Sequence, residues 1–146
     1  MAAKLHPYTT KLYYDADGAD PYTELTDLIE CTPPNTTSGD CETTHLSSAG
    51  AAREYIAGWI EGGVVPFAGY FAKTQFTQLR TMLTGRLTWY FRITLPLLST
   101  ETTPSKVECQ GHVHSIAFDQ VTIDDNAIRC PFEMKVTGLP TFTAGS

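Results

Sequence analysis

Four histidines, four cysteines and sixteen carboxylates are the groups in this chain best suited to acid–base, metal or nucleophilic chemistry. His112 and His114 stand two apart, and in a strand both would point to one side, as in a two-histidine metal site. A metal-binding barrel of that kind would place a glycine at position 106 and a glutamate shortly after His114. The sequence has Lys106 there and, as the nearest following acid, Asp119. The pair therefore reads as two surface histidines, with a small metal-dependent barrel enzyme kept as an alternative. Asp15, Asp17 and Asp20 around Gly18, and the run Asp124-Asp125-Asn126, look like fragments of cation loops. Both lack the full ligand pattern of a calcium site and read as polar turns. No Gly-x-Ser-x-Gly elbow and no phosphate-cradling Gly-x-x-x-x-Gly-Lys run occurs. Cys31, Cys41, Cys109 and Cys130 lack the short paired spacings of a zinc site. Residues 1–7 carry no apolar leader, so free thiols are expected. No catalytic, cofactor or metal residue is assigned, and the expectation is of a protein that is not an enzyme.

The elements that would position these groups are mainly strands. Leu87, Trp89, Phe91, Ile93 and Leu95 alternate with Thr88, Tyr90, Arg92 and Thr94, the pattern of a sheet with one face in a core. Ile128, Cys130, Phe132, Met134 and Val136 repeat it against Arg129, Pro131, Glu133, Lys135 and Thr137. Pro131 lacks a donor, which predicts an edge strand or a bulge there. Val107, Cys109 and Val113 give a third strand, whose phase breaks after Ser115 and predicts a bulge. Residues 11–14, 23–31 and 64–71 are weaker strands, the last edge-like because of Pro66. Residues 74–84 predict the one helix: Phe76, Leu79, Met82 and Leu83 share a face, Thr74 can cap it and Gly85 can end it. Gly62-Gly63 reads as a turn or bulge. Residues 55–72 are too interrupted, by Glu61, Gly62, Gly63 and Pro66, for a membrane span, and no membrane partner is expected.

Residues 32–58 are the exception. Apart from a short helical turn around 51–56 they show no core pattern, and structureless loops longer than about 15 residues are uncommon and usually functional. Leu46, Tyr55, Ile56 and Trp59 need burial somewhere, so a partner surface is expected. A loop folded back on its own domain is the alternative.

At 146 residues, 42% of them hydrophobic and 18% charged, the chain fits a single globular domain over 1–146. The net charge is −6, with ten acids against Lys4, Lys11 and Arg53 in residues 1–61 and six acids against seven bases in the remainder. So acidic a chain is ill suited to gripping nucleic-acid phosphates, which takes clustered positive charge.

The run Thr43-Thr44-His45-Leu46-Ser47-Ser48-Ala49-Gly50, followed by Arg53-Glu54-Tyr55-Ile56-Ala57-Gly58 and by Glu61-Gly62-Gly63, resembles the major tail tube proteins of long-tailed bacteriophages. That family has Thr-Thr-x-Leu-x-Ser, then Arg-Glu-Tyr-Ile-x-Gly and an acid–glycine pair, then a strand, a helix and a strand. The ending Lys135-Val-Thr-Gly-Leu-Pro-Thr141 is similar to the family's last strand. The similarity spans most of residues 10–141 and is sharpest over 43–63; Cys31 and Cys41 have no place in it. The resemblance implies a mostly β fold, a sandwich or barrel of two packed sheets with one helix and a long interaction loop. It implies a structural virion protein: six-membered rings stacked into a hollow tube through which DNA is ejected. The protein would be built into the tail in the host bacterial cytoplasm. Partners would be further copies of the chain, a tape measure, a tail terminator, and tail tip or baseplate proteins, with double-stranded DNA as transient cargo.

Under that resemblance, Asp40, Glu42, Thr43, Thr44, His45, Leu46, Arg53, Glu54 and Tyr55 would make the inter-subunit and inter-ring contacts. An acidic lumen would let DNA slide without sticking. The lumen candidates conflict: Arg92, Glu133 and Lys135 lie on polar strand faces that are not acidic, while Asp27 and Glu30 are acidic but near the N-terminal end. The remaining alternative is a carbohydrate- or protein-binding β-sandwich.

Overall fold

The computed structural model describes residues 10–121, 123 and 127–146; the Asp124-Asp125-Asn126 turn lies outside them. Nine strands and one α-helix follow in chain order: β1 (Lys11–Asp15), β2 (Thr23–Glu24), β3 (Leu28–Cys31), β4 (Thr37–Glu42), β5 (Tyr55–Glu61), β6 (Val64–Tyr70), α1 (Lys73–Gly85), β7 (Trp89–Thr94), β8 (Lys106–Ile116) and β9 (Arg129–Thr143). Seven strands form one antiparallel sheet in the order β2-β1-β7-β8-β9-β6-β3, and β4 and β5 pair separately. The larger sheet curls until β1 approaches β3.

Alternation decides which side of the curl is dry. Leu12, Phe91, Ile93, Cys109, Val113, Phe132, Met134 and Val136 point inward and form the core with Val65 and Phe67. In register, Phe91 lies between Tyr14 and Cys109, and Ile93 between Leu12 and Val107. Each such apolar side chain contributes about 1.5–3 kcal/mol on burial. α1 covers the open side with Leu79 and Met82, both buried, and Phe76 and Leu83 pack at the margin. The helix differs from expectation at its ends. Ala72 is the N-cap and makes no side-chain bond, Thr74 lies inside the first turn, and the left-handed residue that stops the helix is Arg86 (φ 52°), with Gly85 still helical.

Pro131 and Pro66 sit in interior strands, not at edges. The Pro131 carbonyl accepts from Ala117 N at 3.1 Å and the Pro66 carbonyl from Thr32 N at 3.0 Å. In an antiparallel strand the N and C=O of one residue point the same way. Each proline nitrogen therefore faces a spot just past the end of a neighbouring strand, β8 ending at Ile116 and β3 at Cys31. The missing donor costs one reciprocal bond at the very end of each ladder, opposite Ala117 and Thr32. The bulge expected after Ser115 appears as a register shift between Val113 and Ser115. The segment expected as one strand over 23–31 is two, split where Asp27 takes φ 58°.

The largest departure is in residues 32–58. They are not a structureless loop but most of a β-hairpin, here called the arm. β4 and β5 pair from Thr37↔Glu61 to Glu42↔Tyr55, and a 3-10 turn at Ala49–Ala51 lies in its tip. The helical turn expected around 51–56 gives way to the start of β5. Gly62 and Gly63 attach the arm to the sheet. A Cβ on Gly62 would lie 2.5 Å from Val136 Cγ1 and 2.8 Å from the Gly138 carbonyl, and Gly63 adopts φ 76°. Only glycines allow the chain to pass this close to β9 and turn into β6.

Candidate functional site

The arm contains every residue of the predicted contact set, and its register sorts those on its strands by face. Directly opposed residues of an antiparallel pair share a face. Glu42 opposes Tyr55, Asp40 opposes Ala57 and Ser38 opposes Ile60, so one face carries two acids with Tyr55 and Ile60. The register shift between Ser38 and Asp40 puts one extra residue into β5, so Trp59 falls on the reverse face with Ile56, Cys41, Thr37 and Glu61. Both are open to solvent: Trp59 is 91% exposed, and Tyr55, Ile56 and Ile60 are each more than half exposed. A two-stranded ribbon is marginal alone in water, and this one leaves both apolar faces uncovered.

The tip, by contrast, is tied together by hydrogen bonds. Glu54 N donates to Thr44 Oγ1 at 2.8 Å and Thr43 N to the Glu54 carbonyl at 2.8 Å. Ser48 Oγ donates to Glu54 Oε2 at 3.2 Å, His45 N donates to Ser48 Oγ at 3.0 Å, and His45 Nε2 stands 3.7 Å from Glu54 Oε2. Thr-Thr-His…Ser…Glu is thus a closed polar network that holds fully exposed Leu46 at the apex. Arg53 is exposed and makes no ion pair among the described residues.

The second feature is the polar face of the curled sheet. It carries Asp15, Glu24, Glu30, Glu108 and Glu133 against Lys11, Arg92, Lys106, Arg129 and Lys135, with His112 and His114. Arg92 Nη1 donates to Asp20 Oδ1 at 2.9 Å, Nη2 to Glu108 Oε2 at 3.4 Å, and the guanidinium lies 4.1 Å from the centre of the Tyr22 ring. Burial works against this charge, but the hydrogen bond to Asp20 and the nearby acids outweigh it and raise the Arg92 pKa. Arg129 bridges Asp119 and Glu30, with the Asp119 hydrogen bond foremost in raising its pKa. Lys106 reaches Glu108 at 3.1 Å, Lys11 reaches Glu24 at 3.9 Å and His114 Nε2 lies 3.1 Å from Glu133. The structure therefore gathers Arg92, Glu133 and Lys135 on one charge-balanced face. Glu30 sits on edge strand β3, and Asp27 at the break before it.

The groups with catalytic potential are otherwise engaged. His112 faces Lys135 across the β8–β9 pair. Asp15 Oδ2 accepts from Asp17 N at 2.9 Å and Ala19 N at 3.1 Å, which is turn geometry. Among the described residues no three His, Cys, Asp or Glu side chains converge as a metal site would need, and no helix is long and apolar enough to cross a membrane. All four cysteines are free thiols. Burial pushes Cys31 up to about 12 and Cys109 to about 11, so neither is a nucleophile near neutrality. Two features escaped the sequence reading: an aromatic cluster of Phe71, Phe76 and Phe118 beside α1, and the cationic outer face of α1. The signal for the second was available, since no acid lies between Glu61 and Glu101.

A curled sheet with one covering helix and a projecting arm is the fold of tail and tube components of phage-like particles. The chain matches a chain in the tail of an empty gene transfer agent particle (TM-score 0.74, 17% identity, 97% of this chain and 100% of the other). It also matches a chain in the baseplate of the anti-feeding prophage (0.74, 8%, 99% and 98%). A third match is the SPP1 tail tube (0.69, 10%, 97% and 80%). No protein-family model matches the sequence, and no curated protein matches it either.

Proposed function

We propose that this chain is a tail tube subunit: six copies close into a ring, rings stack into a hollow tube, and double-stranded DNA passes through it. The observation that carries the reading is the arm, a hairpin ordered at its tip and exposed on both apolar faces, on a domain with the tail-tube fold. Asp40, Glu42, Thr43, Thr44, His45, Leu46, Arg53, Glu54 and Tyr55 belong to that arm and serve contacts between copies. Ring contacts are heterologous and must close, whereas stacking stays open-ended. Length then needs a tape measure and a terminator, and initiation needs a tail tip or baseplate. Assembly takes place in the host cytoplasm, and the product resides in the virion.

The polar sheet face lines the channel in this reading, with Arg92, Glu133 and Lys135 among its residues. Its cross-strand ion pairs revise the basis for free passage. A surface with no net positive charge displaces no counterions from the phosphates, so DNA slides past a neutral wall and needs no acidic one. Glu30 is held by Arg129 and Asp27 lies at the sheet edge, which leaves both as secondary lining candidates.

Electron microscopy of the concentrated protein tests the proposal. Hollow tubes or stacked rings are expected. Deleting residues 40–48 is expected to abolish stacking while the far-ultraviolet circular dichroism of the sheet persists. Normal tubes from the deletion variant would refute the role of the arm, and a strictly monomeric wild type would refute the tube reading.

A further inference from the structure

Two surfaces of opposite charge stand exposed on this chain. One is the acidic face of the arm, with Asp40, Glu42, Tyr55 and Ile60. The other is the solvent face of α1, where Lys73, Thr77, Arg80, Thr81 and Thr84 are all exposed. Thr77 Oγ1 donates to the Lys73 carbonyl at 2.7 Å, Thr81 Oγ1 to the Thr77 carbonyl at 2.9 Å, and Thr84 Oγ1 to the Arg80 carbonyl at 3.0 Å. With their hydroxyls turned back onto the helix, these threonines present methyl groups to solvent beside two cations. Neither Lys73 nor Arg80 makes an ion pair among the described residues, and α1 carries no acid. Several threonines and the lack of a side-chain cap weaken a helix on its own, so stability of the isolated helix does not account for this outer face.

We infer that the acidic face of the arm seats on α1 of a second copy, with Asp40 and Glu42 against Lys73 and Arg80, and Tyr55 and Ile60 on the threonine methyls. The inference rests on the self-assembly proposed above and names the two surfaces that meet. The lengths agree: the thirteen residues of α1 span about 20 Å, and the seven of β5 about 23 Å. Both surfaces are open within one copy, so the contact runs between copies. It is heterologous and propagates along a row of subunits.

The test is charge reversal in the full chain, read by sedimentation and electron microscopy, with thermal melting as the fold control. Lys73→Glu with Arg80→Glu, and separately Asp40→Lys with Glu42→Lys, are each expected to raise the concentration needed for assembly about tenfold or more, because like charges then face each other. The chain carrying all four substitutions is expected to return close to wild type. If the wild type assembles and either reversed pair assembles equally well, or the fourfold variant is not rescued, the contact is wrong and self-assembly stands. If the wild type does not assemble at any concentration, the tube reading itself fails and takes the contact with it. If a reversed pair lowers the melting temperature, Lys73→Gln with Arg80→Gln replaces it: a milder loss supports the contact, and no loss overturns it.

Discussion

Replacing Trp59 by alanine separates what the arm does for the protomer from what it does between copies. In the protomer the indole is 91% exposed and packs on nothing that its loss would leave open. A surface change of this kind alters stability by no more than about 0.5 kcal/mol, which for a domain of this size moves the melting temperature by about 1–2 °C. Between copies the outcome is different. A tryptophan buries about 200 Å², and at about 25 cal/mol per Å² that gives an upper bound of about 5 kcal/mol. Ordering and incomplete burial reduce this to the range of a central interface anchor, about 2–4 kcal/mol. The critical concentration for assembly is therefore expected to rise about 30- to 1,000-fold. Scanning fluorimetry reads the first quantity, and pelleting over a concentration series, with images of the pellet, reads the second. Tubes forming at the wild-type concentration would refute the placement of Trp59 in a contact. A melting temperature lowered by ten degrees would show that the arm folds back and buries Trp59 in its own domain.

Two further outcomes follow from the burial and charge patterns. Only Cys41 is exposed, while burial holds Cys31 and Cys109 as protonated thiols. Iodoacetamide at pH 8 is therefore expected to add one label per native chain and four after denaturation, counted by intact mass; two or more rapid native labels would contradict the packing. Glu108→Lys with Glu133→Lys removes the acids that pair with Arg92, Lys106 and His114 and reverses their charge. Tubes are expected still to form but to retain duplex DNA at low salt and release it as salt rises. Tubes that bind no more DNA than wild type would remove the polar face from the channel.

The strands on either side of the core were legible because one buried face imposes a period of two. Phe91 and Ile93, or Cys130, Phe132 and Met134, could not alternate with polar residues for another reason. The prolines misled because a missing donor excludes a residue from a ladder bond, not from an interior strand. Pro66 and Pro131 sit where the neighbouring strand has just ended, and strand ends are set by tertiary packing. The arm was invisible as structure for the converse reason. Thr37-Ser-Gly-Asp-Cys-Glu42 buries nothing in its own chain, so no apolar period marks it, although its partner β5 betrays itself through uncovered Tyr55, Ile56 and Trp59. The proposed contact residues came from a resemblance of words, and hydrogen bonds give two of them a local role: Thr44, with Ser48 beside it, holds Glu54. The direction in which Thr77, Thr81 and Thr84 turn their hydroxyls is not readable from composition.

In the proposed assembly, the tip network and the bare faces divide the labour of polymerisation. Ordering a strand residue costs about 1–2 kcal/mol, and the arm recovers little of that from its own apolar side chains. Fixing the tip in advance through Thr44, His45, Ser48 and Glu54 reduces what remains to be ordered on docking. The charges on the arm and on α1 lie at the surface, where salt screens them within about 10 Å at 0.1 M. They therefore favour register and encounter over affinity, and the affinity falls to Trp59, Tyr55, Ile56 and Ile60. In the proposed assembly each apolar anchor is flanked by Asp40, Glu42 or Glu61, which keeps dilute protomers apart. Stacking then requires neighbouring copies to cover the ribbon.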